Sequence, residues 1–212
     1  MKPNRNILLL LSFFLFANIF SQINEHKIQI GVNTGIGKGN LIPHNELIKN
    51  INYQTCFNSN LNFNYLFNTK LGINTKILYL QLPINNEYFY FGEVYGDNAI
   101  IQKNTGYFNL MGLGFNFVLT TNKKVFNLYT EIGINLYYPV NYRIDIDKEL
   151  NYQKKLIPAL NNKLGFSIKL TDIISIQFGG VINYSLLNFI RTKENIVVFY
   201  VCEFGLIINI NK

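Results

Sequence analysis

The sequence predicts an all-β protein, a closed antiparallel transmembrane β-barrel of about eight strands in an up-and-down meander. Three observations predict it. Apolar residues alternate with Asn, Ser, Gly and charged residues over segments of about eleven to sixteen residues. The glycines of those segments share the polar face, and the connections between segments are alternately short and long.

Ahead of the first segment, residues 1–21 read as an export signal removed from the mature chain. Lys2 and Arg5 supply the positive start, Ile7 to Ala17 is an apolar run too short to span as a helix, and small Ser21 precedes Gln22. Residues 22–212 then form a single barrel domain. No later apolar run reaches the length of a spanning helix.

Period two is clearest from Ile51 to Phe67. Tyr53, Phe57, Leu61, Phe63 and Tyr65 fall on one face, and Gln54, Asn58, Asn60, Asn62 and Asn64 on the other. A helix would mix these sets, whereas a strand separates them. The same pattern is read before it, at about 27–37, with Ile28, Ile30, Val32 and Ile36 on the apolar face. It recurs at about 71–82 (Ile73, Ile77 and Tyr79 against Gly72, Asn74 and Lys76) and at about 105–119 (Met111, Leu113, Phe115 and Phe117 against Gly112, Gly114 and Asn116). A fifth segment, about 125–138, sets Leu128, Ile132 and Ile134 against Asn127, Glu131, Gly133 and Asn135. The sixth, about 158–170, sets Leu160, Leu164 and Phe166 against Asn161, Lys163 and Gly165. The last two, about 173–186 and 195–210, carry Ile176, Phe178, Ile182, Phe204, Leu206 and Ile208 outward, against Gln177, Gly179, Asn183, Glu203 and Gly205. The upper half of the last segment is apolar on both faces, so alternation does not set its register.

Short turns are expected at 68–70, 120–124 and 171–172, and long loops at 38–50, 83–104, 139–156 and 187–194. That asymmetry is characteristic of transmembrane barrels, whose turns face the periplasm and whose loops face outward. Ten strands result instead of eight if the second and third loops add strands to the sheet.

A soluble secreted ligand-binding barrel alternates too, but turns its apolar face inward. Position of the glycines argues for the reverse arrangement. Gly72, Gly112, Gly114, Gly133, Gly165, Gly179 and Gly205 all lie on the polar face, and a narrow lumen needs small residues. On a soluble outer surface they would only weaken strands. Asn is the commonest residue, at 33 positions, so these amides must meet water or one another. Aromatic residues gather near both ends of the segments: Tyr107, Phe108, Tyr137, Tyr138 and Tyr184 toward the long loops, Tyr65, Phe117 and Phe126 toward the turns. This resembles two interfacial girdles.

The whole chain carries a formal charge of +7. Losing Lys2 and Arg5 from 19 Lys/Arg leaves 17 against 12 Asp/Glu. These positives are scattered through turns and loops, which argues against nucleic acid as a partner; for a membrane barrel the expected partners are outer-membrane lipids and an envelope protein. Cys56 and Cys202 fall on opposite faces of their strands, so a disulfide between them is not expected.

The stretches Tyr107 to Phe117 and Leu128 to Tyr138, and the hairpin Leu164 to Leu186 around Thr171-Asp172, resemble PorT-like and OmpX-like outer-membrane barrels. The Phe-Ser-Gln ending of the signal resembles exported proteins of Bacteroidetes-type bacteria. The resemblance implies an outer-membrane location, and secretion-accessory work as one version of the role, without carrying any functional residue across. Ending on Lys212 rather than an aromatic departs from many such barrels.

The candidate site is interior. Lys76, Glu131, Lys163 and Glu203 lie on polar faces at comparable heights above the turns. Two Lys and two Glu in a tight lumen should pair, because an unpaired buried charge costs several kcal/mol. A closed, charge-paired, non-enzymatic barrel follows, with no cofactor or metal. A second candidate is the aromatic stretch Tyr88, Phe89, Tyr90, Phe91 and Tyr95 in the second outer loop, where an extended hairpin could offer an edge to a partner. The enzymatic alternative, lipid modification, needs a His with Ser and an acid at the outer rim. His26 lies at the wrong end, and His44 has no His-x-Ser context. Asp145, Asp147 and Glu149 lack the spacing of a Ca²⁺ loop, and Gly31, Gly35 and Gly37 lack the Lys-Ser/Thr of a phosphate loop.

Overall fold

A computed structural model describes residues 27–43, 48–51, 53–90, 100–121, 125–145, 156–186 and 195–210. The expected signal, 1–21, lies outside them. The strands are β1 (Lys27–Pro43), β2 (Ile48–Ile51), β3 (Gln54–Leu66), β4 (Leu71–Tyr90), β5 (Ile100–Thr120), β6 (Phe126–Asp145), β7 (Ile157–Lys169), β8 (Ile174–Ser185) and β9 (Asn195–Ile210). Every pairing is antiparallel; β2 apart, each strand pairs with the next in the chain, β1 with β3, and β1 closes on β9 from Ile28↔Ile210 to Pro43↔Asn195. Short β2 pairs with the far end of β4 beyond the reach of β3, so the closed barrel has eight strands.

Three turns share one rim with the first residue of β1 and the last of β9. Each is held by its own side chains. Asn68 Oδ1 accepts the backbone N–H groups of Lys70 and Leu71 at 2.8 and 2.7 Å. Thr171 Oγ1 accepts those of Ile173 and Ile174 at 3.2 and 2.9 Å, and Thr121 Oγ1 that of Leu128 at 2.8 Å. Asn68 and Thr171 suit these positions because their short side chains reach the backbone two and three residues on.

The apolar face is the outer one. Ile36, Phe117, Leu164 and Ile182 are 59 to 68% exposed, and among the described residues thirty-two further large apolar side chains are exposed too. A soluble barrel could not present this surface to water, whereas a bilayer requires it. The eight barrel strands contain 12 to 21 residues, more than the roughly 9–11 needed to cross. All seven polar-face glycines point inward, as do Asn58, Asn60, Asn62 and Asn64. Cys56 is buried inside and Cys202 faces the lipid, both as free thiols.

Two expectations change. Phe108 and Tyr137 are buried inside the barrel, at 0 and 3% exposure, and so do not belong to the outer girdle. Alternation decides this, since their neighbours Tyr107 and Tyr138 take the outward positions. Strands β1, β4, β5 and β6 also run past their expected ends, to Pro43, Tyr90, Ile100 and Asp145. Backbone pairing continues beyond the membrane, where lipid no longer demands an alternating face.

Candidate functional site

The lumen is filled in three layers. Nearest the turns is a polar vestibule of about 470 Å³, lined by residues that include Gln29, Asn64, Asn127, Ser167, Gln177 and Asn209. Above it lies a charged belt, and above that an apolar plug.

The belt contains the four predicted charges, drawn from four different strands. Lys76 on β4 is ion-paired with Glu131 on β6, their side chains 2 and 3% exposed. Lys163 on β7 reaches Glu203 on β9 at 2.7 Å, with side chains 0 and 2% exposed. Each pair skips a strand. Where it does so the intervening inward residue is glycine, Gly114 on β5 and Gly179 on β8, so a lysine can lie across the strand between. A Cβ on Gly114 would approach Lys76 Cβ to 3.3 Å, and one on Gly179 would approach Lys163 Cε to 3.0 Å.

The amides use the same device. Gly35 of β1 is the register partner of both Asn58 and Glu203, and across it Asn58 Nδ2 donates to Glu203 Oε1 at 2.5 Å. Gly133 of β6 lies between Asn116 and Asn161, and Asn161 Nδ2 donates to Asn116 Oδ1 at 2.7 Å across it. Glu203 Oε1 also accepts from Asn60 Nδ2 at 2.9 Å. The Lys163 ammonium lies 5.4 Å from the Tyr129 ring centroid, within cation–π range. With its amide oxygen turned inward, Asn33 accepts from Lys163 Nζ at 3.0 Å and Asn62 Nδ2 at 2.7 Å. Two positive and two negative charges therefore cancel in two buried pairs, the second of them braced by amides, and pairing is the condition under which buried ions are tolerated.

The plug was not foreseen. Leu80, Leu82, Phe108, Leu110, Ile157, Phe199 and Val201 are each no more than 2% exposed and pack together toward the long loops. Tyr137 joins the two layers. Its ring meets Phe199 edge-on at 6.2 Å, and its hydroxyl accepts from Asn135 Nδ2 at 3.1 Å and donates to Asn183 Oδ1 at 3.4 Å. The sequence signal for the plug is strand ends apolar on both faces, such as Ile77 to Leu82 and Ile196 to Val201.

At the vestibule mouth Lys169 pairs with Asp172 at 2.7 Å. The ammonium, by hydrogen bond and by charge, holds the Asp172 carboxyl below the usual carboxylate range. Exposed to water, the pair contributes little to stability.

Tyr88, Phe89 and Tyr90 continue β4 outward, in backbone register with Gln102, Ile101 and Ile100 of β5. Phe91 and Tyr95 lie outside the described residues, as do His26, His44, Asp147 and Glu149. Asp145 ends β6 opposite Thr105, and Gly31, Gly35 and Gly37 are strand residues of β1.

No protein-family model matches the chain, and no curated protein matches it in sequence. Solved structures do match. Neisserial surface protein A superposes with a TM-score of 0.52 at 11% identity, over 85% of this chain and 96% of that one. The outer membrane protein OprG from Pseudomonas aeruginosa gives 0.50 at 13% identity, over 90% and 98%. The attachment invasion locus protein Ail of Yersinia pestis, solved with the heparin analogue sucrose octasulfate, gives 0.47 at 12%, over 87% and 99%. At such identities it is the fold that the first two establish: this chain has the architecture of the small eight-stranded bacterial outer-membrane β-barrels.

Proposed function

We propose that the chain is a non-enzymatic outer-membrane barrel that does not conduct and that engages an envelope partner at its long-loop side. The observation that carries the closed lumen is the stacking of two barriers. Both ion pairs are almost wholly buried, and close-packed apolar side chains lie directly above them. Ions would have to break the first and enter the dry second. Planar-bilayer recording on the purified protein tests this: a silent bilayer is expected, and steady single-channel currents would overturn it.

The partner reading is supported by the extended sheet. β4, β5 and β6 rise together past the plug, and β7 meets β6 only from Tyr137 downward. Among the described residues, Asn141 to Asp145 of β6 pair with β5 alone, which leaves one edge for an added strand. Secretion-accessory work is one form such a contact would take, by resemblance to PorT-like proteins. Deleting residues 87–95 should leave heat-modifiable gel mobility intact and abolish cross-linking to an envelope protein in cells. Unchanged cross-linking would count against the hairpin.

A further inference from the structure

The vestibule has a property that closing the lumen does not require. Half of its wall is satisfied internally. Asn74 donates to Asn64, Asn64 to Gln29 at 3.3 Å, Gln29 to Asn209 at 2.7 Å, and Asn209 to Ser175 at 3.3 Å. Most of the remaining wall is partnered as well, and Gln177 is the exception. Gln177 on β8 is 6% exposed and lines the cavity, yet its amide bonds no other described side chain. Beside it in register stand Ser167 on β7 and, on β9, Gly205, which has no side chain to cover it. A buried polar group open only to a cavity is satisfied by what the cavity holds.

Charge narrows what that is. Glu131 at the floor is matched by Lys76 and Lys169 at the mouth by Asp172, and Lys27 has an interaction of its own. Among the described residues a charged solute would find no unengaged counter-charge, and it would pay desolvation. The remaining groups are amides and hydroxyls, which both donate and accept, as the hydroxyls of a sugar do. At about 470 Å³ the vestibule falls within the roughly 300–1,000 Å³ of small-molecule sites. We infer that it is a binding site for a small uncharged saccharide, entering from the turn side and held by Gln177 and Ser167.

The test uses the full barrel in phospholipid nanodiscs, with maltose as the probe and glucuronate and glucosamine as charged controls. Side-chain amide resonances of Gln177 should shift saturably with maltose, with a Kd of about 1 mM, and less with either control. Gln177→Leu should weaken binding about tenfold or more while heat-modifiable mobility is kept. Should that variant misfold, Ser167→Phe, which occupies the same space from the neighbouring strand, should abolish the shifts. Non-saturating shifts, shifts confined to the long-loop side, or equal affinity in a folded variant would each overturn the site and leave the vestibule a chamber for water only.

Discussion

The charged belt and the apolar plug fill the same lumen, on the same strands, a few residues apart, by opposite means. In the belt the inward positions are Lys, Glu, Asn and Gly, and each group depends on one particular partner. Leu, Ile, Val and Phe fill the plug, and each depends only on being surrounded. Removing one belt member therefore strands a charge, while removing one plug member leaves a hole. The first error is electrostatic and repairable by a second substitution. The second is volumetric and repairable only by refilling.

The largest effect expected from this contrast is at Glu203. Glu203→Leu leaves Lys163 buried without its counter-charge and deprives Asn58 and Asn60 of their acceptor. A loss of about 3–5 kcal/mol is expected in urea unfolding followed by gel mobility. Combining it with Lys163→Met should recover most of that loss, since well-packed apolar replacements of a buried pair are often neutral. A double variant as unstable as the single one would break the comparison.

Leu80→Ala in the plug should cost about 2–5 kcal/mol, with no second-site rescue by charge. The variant should still be silent in bilayers, because the belt beneath is untouched. A cost of only a few tenths would mean that the upper lumen is hydrated.

Gly179 and Gly180 sharpen the picture at a single step along β8. A Cβ at Gly179 would stand 2.6 Å from the Tyr129 hydroxyl and 3.0 Å from Lys163 Cε, whereas one at Gly180 meets nothing within 4 Å. Gly179→Ala should destabilise by about 1–3 kcal/mol through overpacking. Gly180→Ala should instead stabilise by about 0.5–1 kcal/mol, the ordinary gain of Ala over Gly in a strand. Equal effects would show that the belt has slack. The smallest effect is chemical: a lipid-soluble maleimide should label Cys202 and spare Cys56 in the folded barrel.

Much of this was legible beforehand, and the reason is that alternation is a local property. Whether Phe115 or Asn116 faces lipid depends on the pleat of one strand and on the solvent at each side. The turns at Asn68 and Thr171 were equally local. Strand ends above the membrane are not legible because the sequence from Pro83 to Tyr90 does not alternate. Segments apolar on both faces, such as Ile196 to Val201, give period two nothing to separate, so alternation carries no sign of the plug there, whereas Phe108 and Tyr137 are turned inward by the alternation of their own strands.

Sequence by itself determined the meander, the outward apolar face, the inward glycines and the presence of four interior charges at similar height. Only the tertiary structure decided how those charges pair. Lys163 is the direct register neighbour of Glu131, yet its ammonium lies on Glu203, two strands away. Which way a lysine leans inside a barrel depends on the residue of the strand between, here Gly179, and on the stagger that brings Glu203 level with it. Those relations exist only once the sheet has closed.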